Sequence, residues 1–378
     1  MRISLIHVQC LEGNNIVPPL GLMYVASALE ENGHHVQMFD VDPSVVDVSE
    51  KIEKFRPHLI GFSFLSMTHK KAMDYCGALK ARFPGTLFCA GGYHATIFPE
   101  ETARQMELDF AVIGEGEETL VEACRAVEEK GDLSGVAGVV YRDDQGQYRR
   151  TPQRPLQKNL DLFPFPARRL LPFDRYLTPP GLIRGYATER LTTMVTSRGC
   201  PYSCIYCGSW QIFGRKVRRR SVENVISEIR STVVQFGIKG LYFCDDIFVT
   251  DKDWVIGLSR RMREEGFRIE WACQTRVDTV SDEVLSEMKK AGCVQIDFGV
   301  ESGSDRILKV LRKGVLSAQV EEAFRLVHKN GIRACATFML GNPEETKEDM
   351  EQTLRLAKKI KPDYAIFYYT TPYPRTVL

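Results

Sequence analysis

The stretch HLIGFSFLSMTHKKAMDYCGALKARFPGTLFCAGG, residues 58–92, carries the pattern from which the first half of the chain can be interpreted. Its two apolar runs, HLIGFSF and TLFCAGG, are rich in the residue types of buried strands. The segment between them, at about 67–83, has the apolar spacing of an amphipathic helix. A strand, a helix and a strand in this order form a parallel pair joined by a crossover helix.

The same unit recurs from residue 1 to about 130. Further strand candidates are RISLIHV, HVQMFD and FAVIG, and further helical stretches lie at about 19–33, 44–56, 99–107 and 116–130. Five such units predict a doubly wound, flavodoxin-like α/β domain with a parallel sheet covered on both faces. Ligands of such domains bind outside the carboxyl ends of the strands. Here those ends are rich in small and polar residues and read GFSFLS (61–66), AGGYHAT (90–96) and GEGEET (114–119).

A second alternation of strands and longer helices runs from residue 191 to residue 378. Its strand candidates are TTMVTS, GLYFCD, IEWACQT, VQIDFGV, RACATFML and DYAIFYYT. Residues that favour helix N-caps precede four of its helices, at Ser221, Asp251, Ser281 and Ser317. Six strand–helix units predict a partial (β/α)6 barrel, with functional groups at the carboxyl ends of the strands.

Between these two domains, residues 131–190 differ in character. They contain a hairpin that turns at Asp144–Gly146, followed by a stretch with a proline every few residues. The stretch also carries Phe163, Phe165, Phe173 and Tyr176, which is too apolar for a free tether. We therefore expect a linker that packs against the domains.

The run CPYSCIYC places Cys200, Cys204 and Cys207 on one short loop after the first strand of the second half. Three thiolates at this spacing indicate a metal or cluster site. A structural zinc site would need a fourth Cys or His nearby, usually in a second paired motif, and none follows. A [4Fe–4S] cluster with one iron left open for a small molecule is therefore favoured over zinc and over uncoordinated core thiols.

With Tyr206 before the last cysteine, the CxxxCxxC loop resembles the cluster loop of radical S-adenosylmethionine (SAM) enzymes. In the first half, Ser63-Phe64-Leu65, Gly91-Gly92 and the stretch PPLGLMYVASALEENGHHV (18–36) resemble cobalamin-binding domains. The whole chain is thus similar to the cobalamin-dependent radical SAM family of anaerobic cyclases and methylases. The Asp-x-His-x-x-Gly motif of histidine-ligated cobalamin domains is absent, so the resemblance implies cobalamin bound without that ligand. The alternative is a ligand-free domain in which the glycines are only turn residues.

The resemblance implies three cofactors, which are a [4Fe–4S] cluster held by the three cysteines, SAM and cobalamin. One electron from the reduced cluster would cleave SAM to a 5′-deoxyadenosyl radical. The residues implied for SAM are Tyr206, Asp245, Asp246, Arg276, Glu301, Ser302, Tyr368, Thr371 and Pro372. Those implied for cobalamin are Pro19, Leu20, Ser63, Leu65, Ser66, Gly91, Gly92, Tyr93, His94, Gly114, Glu115, Gly116 and Glu117. No catalytic residue on the substrate side is identifiable.

Within the implied SAM site, Asp245 and Asp246 would take the ammonium and Arg276 would take the carboxylate by charge-assisted hydrogen bonds. Glu301 would accept from the ribose or the amino group. Each of these residues also has a structural alternative. The two aspartates and Glu301 could cap neighbouring turns, and Arg276 could pair with Asp278 on the surface.

Composition limits the location and the partners of the protein. The net charge of +1 gives no reason to expect nucleic acid or an anionic membrane as a partner. Eleven cysteines without regular pairing fit a reducing cytosol, and there is no signal h-region and no run of about 18 apolar residues. A cytoplasmic protein without a membrane segment is expected. The remaining cysteines mostly lie in apolar runs and are expected to be buried core thiols.

Two features near the predicted barrel bear on the substrate. The basic run GRKVRRRS (214–221) could recognise an acidic or phosphorylated substrate, but a solvated loop beside a helix is the favoured interpretation. The chain ends shortly after TPYPRT, where members of the resembled family usually continue into a helical region, so we expect a barrel that lacks this C-terminal extension.

Three functions are consistent with the sequence. The first is methyl transfer from cobalamin to an unactivated substrate atom, and it is favoured. The second is radical ring formation or rearrangement, as in anaerobic cyclases that act on porphyrin-like substrates. The third is a non-catalytic cobalamin or iron–sulfur sensor, or a truncated inactive form. For either enzyme, a small-molecule substrate and an electron donor such as flavodoxin or ferredoxin are expected.

Overall fold

The sequence of residues 58–92 predicts a parallel sheet in the first half of the chain, and the structure contains this sheet. The computed structural model describes residues 1–9, 17–129, 131–177, 183 and 190–378. It divides into two units, one of residues 1–173 with 211–213, and one of residues 174–210 with 214–378. Among the described residues, no helix is long and apolar enough to cross a membrane.

The first unit alternates strands and helices up to residue 129. Its strands are β1 (Arg2–Val8), β2 (His35–Val41), β3 (Leu59–Ser63), β4 (Leu87–Gly91), β5 (Phe110–Val112), β6 (Val139–Arg142) and β7 (Tyr148–Arg150). Its helices are α1 (Leu20–Glu31), α2 (Ser49–Phe55), α3 (His69–Arg82), α4 (Gly92–Ile97), α5 (Pro99–Gln105) and α6 (Glu117–Glu129). All five helical stretches that the periodicity predicts are present, whereas the short α4 was not predicted.

The strand order in the described part of this sheet is β2-β1-β3-β4-β5-β6-β7. The first five strands are parallel, and the order reverses direction between β1 and β3, as in a flavodoxin-like domain. In the register of the sheet, His7 lies beside Ser63, and Ser63 lies beside Gly91. The carboxyl ends of β1, β3 and β4 therefore meet at one edge, which confirms the predicted fold class for this half.

The core of this unit lies between the sheet and its helices. Ile6, Ile60 and Phe62 from the central strands are at most 2% exposed, and they belong to one buried cluster with residues such as Cys76 and Leu79 of α3. Because both faces of the central strands are covered, these strands are apolar on both sides, which is why they appear in the sequence as continuous apolar runs.

The hairpin at residues 139–150 belongs to this sheet. β6 pairs antiparallel with β5, and β7 pairs antiparallel with β6, so the segment expected to open a linker instead adds two strands. In the proline-rich part that follows, Leu160 and Phe163 are buried against Tyr24 of α1. The boundary at residue 130 stays a prediction, since the first unit extends to residue 173.

The second unit contains the predicted partial barrel. Its strands are β8 (Leu191–Met194), β9 (Ser197–Arg198), β10 (Arg218–Arg219), β11 (Gly240–Phe243), β12 (Glu270–Thr275), β13 (Cys293–Glu301), β14 (Arg333–Leu340) and β15 (Tyr364–Tyr369). The helices in this part of the chain are α7 (Trp210–Phe213), α8 (Val222–Phe236), α9 (Lys252–Glu264), α10 (Asp282–Lys290), α11 (Asp305–Val310), α12 (Ser317–Lys329) and α13 (Lys347–Ile360).

Within the described residues, the main sheet of this unit has the order β8-β11-β12-β13-β14-β15, and every neighbouring pair is parallel. Three of the four predicted N-caps are present, since Ser221, Asp251 and Ser281 each accept a hydrogen bond from a backbone N–H of the first helical turn. The prediction for Ser317 was wrong. Leu316 is the N-cap of α12 because the Gln319 side chain bonds to its backbone N–H, and Ser317 is already helical.

Candidate functional site

The cysteine loop leaves the barrel after β8 and returns to it through a short ribbon. β9 and β10 pair antiparallel, with Ser197 opposite Arg219 and Arg198 opposite Arg218. Residues 199–217 therefore form a loop that this pairing closes at its base. The N–H of Cys200 donates to the carbonyl of Gly214 at 3.3 Å, and that of Cys207 donates to the carbonyl of Cys204. The loop is therefore held by its own backbone.

All three thiols of this loop are half-buried and unpaired by disulfides. Burial raises the pKa of both Cys200 and Cys207, while backbone N–H groups of Tyr202 and Ser209 directed at these sulfurs lower it. Among the described residues, no three His, Cys, Asp or Glu side chains converge on a single metal ion. Thiolates of a four-iron cluster each bind a different iron, so they do not need to share one point. The donor set of three cysteines fits such a cluster.

The structure gives the two adjacent aspartates after β11 different surroundings. Asp245 is fully buried, and it accepts hydrogen bonds from the backbone N–H of Thr196 at 2.6 Å, from the Thr196 hydroxyl and from the Ser197 hydroxyl at 2.7 Å. Its carboxylate therefore ties the end of β8 to the end of β11. Asp246 is half-buried beside the cysteine loop, where its carboxylate accepts from the Ser209 hydroxyl at 2.6 Å. Burial raises the pKa of Asp246.

Arg276, at the carboxyl end of β12, is 4% exposed. Its Nε and Nη2 donate to the carboxylate of Asp278, both at 2.9 Å, and Nη2 also donates to the carbonyl of Lys313 at 2.8 Å. The guanidinium lies 3.5 Å from the centroid of the Tyr202 ring, which belongs to the cysteine loop. Arg276 thus pairs with Asp278, as the structural alternative expected, but its guanidinium is buried and contacts the cysteine loop, whereas Asp278 is exposed.

Tyr206, Glu301 and Lys313 form a closed hydrogen-bonded triangle. The Tyr206 hydroxyl donates to Glu301 Oε1 at 3.0 Å, and Lys313 Nζ donates to the same oxygen at 2.9 Å and to the Tyr206 hydroxyl at 3.2 Å. Burial and the neighbouring Glu301 carboxylate raise the pKa of Tyr206 well above its ordinary value, so the hydroxyl keeps its proton. The sequence predicted Tyr206 and Glu301 for this site and missed Lys313, because no local pattern distinguishes LRKG from an ordinary helix end.

Glu301 adopts a backbone conformation that is rare for a residue with a side chain. Its φ is 68°, and it follows an irregularity in the pairing of β13 with β14 between Gly299 and Glu301. Strain of this kind costs about 1–3 kcal/mol and is concentrated at functional sites. A Cβ at Gly299 would overlap Glu301 Oε1 and lie 3.0 Å from Lys313 Nζ, so a side chain there would displace these two groups.

The other residues implied for SAM lie elsewhere in this unit. Ser302 is fully buried, and its hydroxyl lies 3.2 Å from that of Thr353, so it packs against α13. Tyr368, Thr371 and Pro372 are exposed at the end of β15, which is an edge strand in the described part of the sheet. The structure therefore brings Tyr206, Asp246, Arg276 and Glu301 to the cysteine loop and does not bring Asp245 and Ser302 there.

The basic run does not form the expected solvated loop. Arg218 and Arg220 are 6% and 4% exposed, and Arg220 pairs with the buried Glu228 at 2.5 Å. Arg219 stacks over Trp254, with its guanidinium 4.4 Å from the ring centroid, and lies 4.0 Å from Asp245. These arginines support the β9–β10 ribbon, whereas Arg215, Lys216 and Ser221 of the run are exposed. Cys244, expected in the core, is exposed at the end of β11.

At the carboxyl edge of the first sheet, two of the implied glycines have positive φ. Gly92 has φ 86°, and a Cβ on it would lie 2.8 Å from the Ser63 hydroxyl. Gly114 has φ 79° and faces open space, while its N–H donates to the Thr96 hydroxyl at 2.9 Å. The backbone at Gly114 is therefore accessible to a large flat ligand, as a cobalamin site requires.

His94 is part of a stack of rings beneath this edge. It is 8% exposed, its ring lies 4.2 Å from that of His69, and its Nδ1 lies 3.0 Å from the Ser66 hydroxyl. Burial lowers the pKa of His94 to about 4. The imidazole is thus packed among neighbouring side chains, which agrees with the absence of the histidine-ligand motif.

The remaining residues implied for cobalamin lie around the same strand ends. Leu65 is exposed, Leu20 and Glu117 are buried, and Pro19, Gly91, Tyr93, Glu115 and Gly116 are half-buried. Cys10, which closes the first strand in the sequence, lies outside the described residues.

Comparison with known proteins agrees with this division of the chain. Residues 6–124 match the B12 binding domain, and residues 194–357 match the radical SAM superfamily. An uncharacterized methyltransferase from Pyrococcus horikoshii is 37% identical over 368 residues, which are 96% of this chain and 77% of that protein. An anaerobic magnesium-protoporphyrin IX monomethyl ester cyclase from Rubrivivax gelatinosus is 28% identical over 389 residues, which are 99% of this chain and 68% of that protein.

Among solved structures, the radical SAM methyltransferase TsrM from Kitasatospora setae, with cobalamin and a [4Fe–4S] cluster bound, superimposes with a TM-score of 0.80. It is 19% identical, and the match covers 97% of this chain and 72% of TsrM, so it shows the shared fold. The chain belongs to the family of cobalamin-dependent radical SAM enzymes. Its cofactors are a [4Fe–4S] cluster, SAM and cobalamin.

Proposed function

We propose that this enzyme transfers a methyl group from cobalamin to an unactivated atom of a small molecule. The observation that carries the proposal is the similarity to a methyltransferase, at 37% identity along almost the whole chain, compared with 28% for the cyclase. Both domains take part in this similarity, because the match covers 96% of the chain.

Three thiols of the second unit would hold the cluster and leave one iron free. Cys200, Cys204 and Cys207 supply one ligand each, and the amino and carboxylate groups of SAM would bind the fourth iron. The cluster supplies the electron that cleaves SAM. An electron donor such as flavodoxin or ferredoxin would then reduce the cluster again. The residues of this chain contribute position and exclusion of water.

Four side chains around the cysteine loop are proposed to orient SAM. Asp246 would accept from the N–H groups of the SAM amino group, since its carboxylate lies beside the loop, whereas Asp245 would serve only to join β8 and β11. Arg276 has two of its nitrogens engaged by Asp278 and Lys313, so Nη1 would meet the carboxylate of SAM. Glu301 would accept from the ribose or amino group through Oε2, and Tyr206 would border the adenine.

In the first unit, the open space at Gly114 and the edge formed by Ser63 and Gly91 are proposed to hold the corrinoid. His94 is not proposed as a cobalt ligand, because it is buried in its ring stack.

Product analysis tests the proposal. The reconstituted enzyme is incubated anaerobically with SAM, reductant, cobalamin and candidate substrates. Methyl transfer yields S-adenosylhomocysteine together with 5′-deoxyadenosine. Formation of 5′-deoxyadenosine without S-adenosylhomocysteine would instead support ring formation, the second candidate, which the similarity to the cyclase over 99% of the chain favours. If neither product forms, methyl transfer is contradicted.

A further inference from the structure

We infer that Lys313 is a positioning residue for SAM, acting through Glu301. The inference rests on the family and its cofactors and holds for either of the two reactions above. Lys313 is 6% exposed, and its ammonium makes a 2.9 Å ion pair with Glu301 and a 3.2 Å hydrogen bond with Tyr206. A single lysine thus links the end of β13 to the cysteine loop.

The backbone of Lys313 makes a third link. Its carbonyl accepts from Nη2 of Arg276 at 2.8 Å, so residue 313 contacts Tyr206, Arg276 and Glu301 at once. All three are residues that the family resemblance implies for SAM.

The end of α11 directs Lys313 to this point. Arg312 has φ 51°, its N–H donates to the carbonyl of Lys309, and the N–H of Lys313 donates to the carbonyl of Leu308. This is the hydrogen-bonding pattern of a Schellman motif, which turns the chain sharply after a helix. Gly314, with φ 71°, completes the turn.

The same turn also contacts the cysteine loop. The N–H of Ile205 donates to the carbonyl of Leu311 at 3.1 Å, and Ile205 packs with Ile307 and Leu311 in one buried cluster. The turn that carries Lys313 is therefore joined to the cysteine loop by a backbone hydrogen bond and by apolar packing.

The ion pair occupies one carboxylate oxygen of Glu301 and leaves the other available. Both Tyr206 and Lys313 bond to Oε1, and within the described part of the chain Oε2 accepts no hydrogen bond. Holding Oε1 fixes the orientation of the carboxylate, so that Oε2 is presented to the ligand. The ammonium also pairs with this buried carboxylate, whose charge would otherwise be buried without a partner.

The experiment measures SAM binding without turnover. Wild-type enzyme and variants are reconstituted anaerobically, and binding of labelled SAM to the oxidised cluster is followed by equilibrium dialysis. Lys313→Gln is expected to weaken SAM binding by roughly 10- to 100-fold, the range for a hydrogen bond to a charged group, with iron and cobalamin content unchanged. Lys313→Arg is expected to stay within about threefold of wild type, since the charge returns.

A double-mutant cycle shows whether Lys313 acts through Glu301. Glu301→Gln should itself weaken SAM binding, and adding Lys313→Gln to it should change the affinity by less than about threefold. The matched control is Lys309→Gln, on the exposed side of α11, which should leave SAM binding unchanged.

Two results would overturn the inference: SAM affinity within about threefold of wild type in a fully loaded Lys313→Gln variant, or losses that simply add in the cycle. Loss of iron in Lys313→Gln would also count against it, because Lys313 would then support the loop rather than SAM. If Lys313→Gln does not fold, the double variant, which lacks both charges, is compared with Glu301→Gln, and a further tenfold loss contradicts the inference. Failure of methyl transfer would leave these affinities unaffected, so the two proposals fail separately.

Discussion

Replacing Gly92 with alanine should cost the first unit stability and cobalamin together. Gly92 has φ 86°, where a side chain costs about 1–2 kcal/mol, and the new Cβ would lie 2.8 Å from the Ser63 hydroxyl, closer than real Cβ contacts. Overlap with Ser63 raises the expected loss to about 2–3 kcal/mol. For a unit of this size that corresponds to a melting temperature lower by roughly 4–12 °C.

The direction of the Cβ links this strain to the cofactor. It points at the Ser63 hydroxyl at the end of β3, so relief requires displacement of Ser63, which is implied in cobalamin binding. If half of the strain is relieved in this way, cobalamin must restore the strand end when it binds. The free energy of cobalamin binding is then less favourable by about 1.4 kcal/mol, which is a tenfold loss of affinity.

The assay is cobalamin retained after desalting, measured by its absorbance, together with iron content and thermal unfolding of the cobalamin-free protein. Iron content should stay at the wild-type value, because the cysteine loop belongs to the second unit. The control is Gly33→Ala, which has a similar φ of 80° but open space around its Cβ, and which precedes β2 at the opposite edge of the sheet. It should lose stability through strain alone and retain cobalamin. Equal retention by Gly92→Ala and Gly33→Ala would refute the reasoning.

Three further outcomes are expected. Cys200→Ala, Cys204→Ala and Cys207→Ala should each lower the iron content below the roughly four atoms per chain of a complete cluster; an unchanged iron content in all three would remove the cluster from this loop. Asp245→Asn should lower the free energy of unfolding by about 3 kcal/mol, because the amide would direct N–H groups at the donors of Thr196 and Ser197. The SAM affinity of the folded protein should stay the same. Weaker SAM binding with normal stability would instead place Asp245 in the SAM site. Hydrogen bonds from Lys71 and Ser44 lower the pKa of Asp42 to about 2 from 3.8, so its contribution to stability is present above pH 3.8 and is lost as the pH falls to about 2. Acid unfolding curves of Asp42→Asn should lack this component, and a curve parallel to wild type would contradict the assignment.

Much of the fold could be predicted because its signals are local. Strand and helix periodicities extend over a few residues, and short parallel strands buried on both faces leave continuous apolar runs such as HLIGFSF. The cysteine loop is equally local, since its three ligands lie within eight residues. The hairpin at 139–150 shows the limit of such signals. Its turn was visible, but its pairing with β5 depends on how the sheet is assembled.

The partners of the polar residues could not be predicted, because they are set by contacts between distant parts of the chain. Asp245 and Asp246 are neighbours in sequence, yet their side chains alternate between the buried end of β8 and the cysteine loop. The family resemblance implied Ser302 for SAM binding, whereas tertiary packing places its hydroxyl against α13.

By itself, then, the sequence determined the two parallel α/β units, their order along the chain and the three cysteines that define the chemistry. Only the tertiary structure decided which of the two aspartates lies beside the cysteine loop and that Lys313 joins Tyr206 and Glu301, which lie 107 and 12 residues away from it in sequence. The physical reason is that hydrophobic periodicity is repeated along each element, whereas a buried ion pair forms once, where two separate turns happen to meet and exclude water.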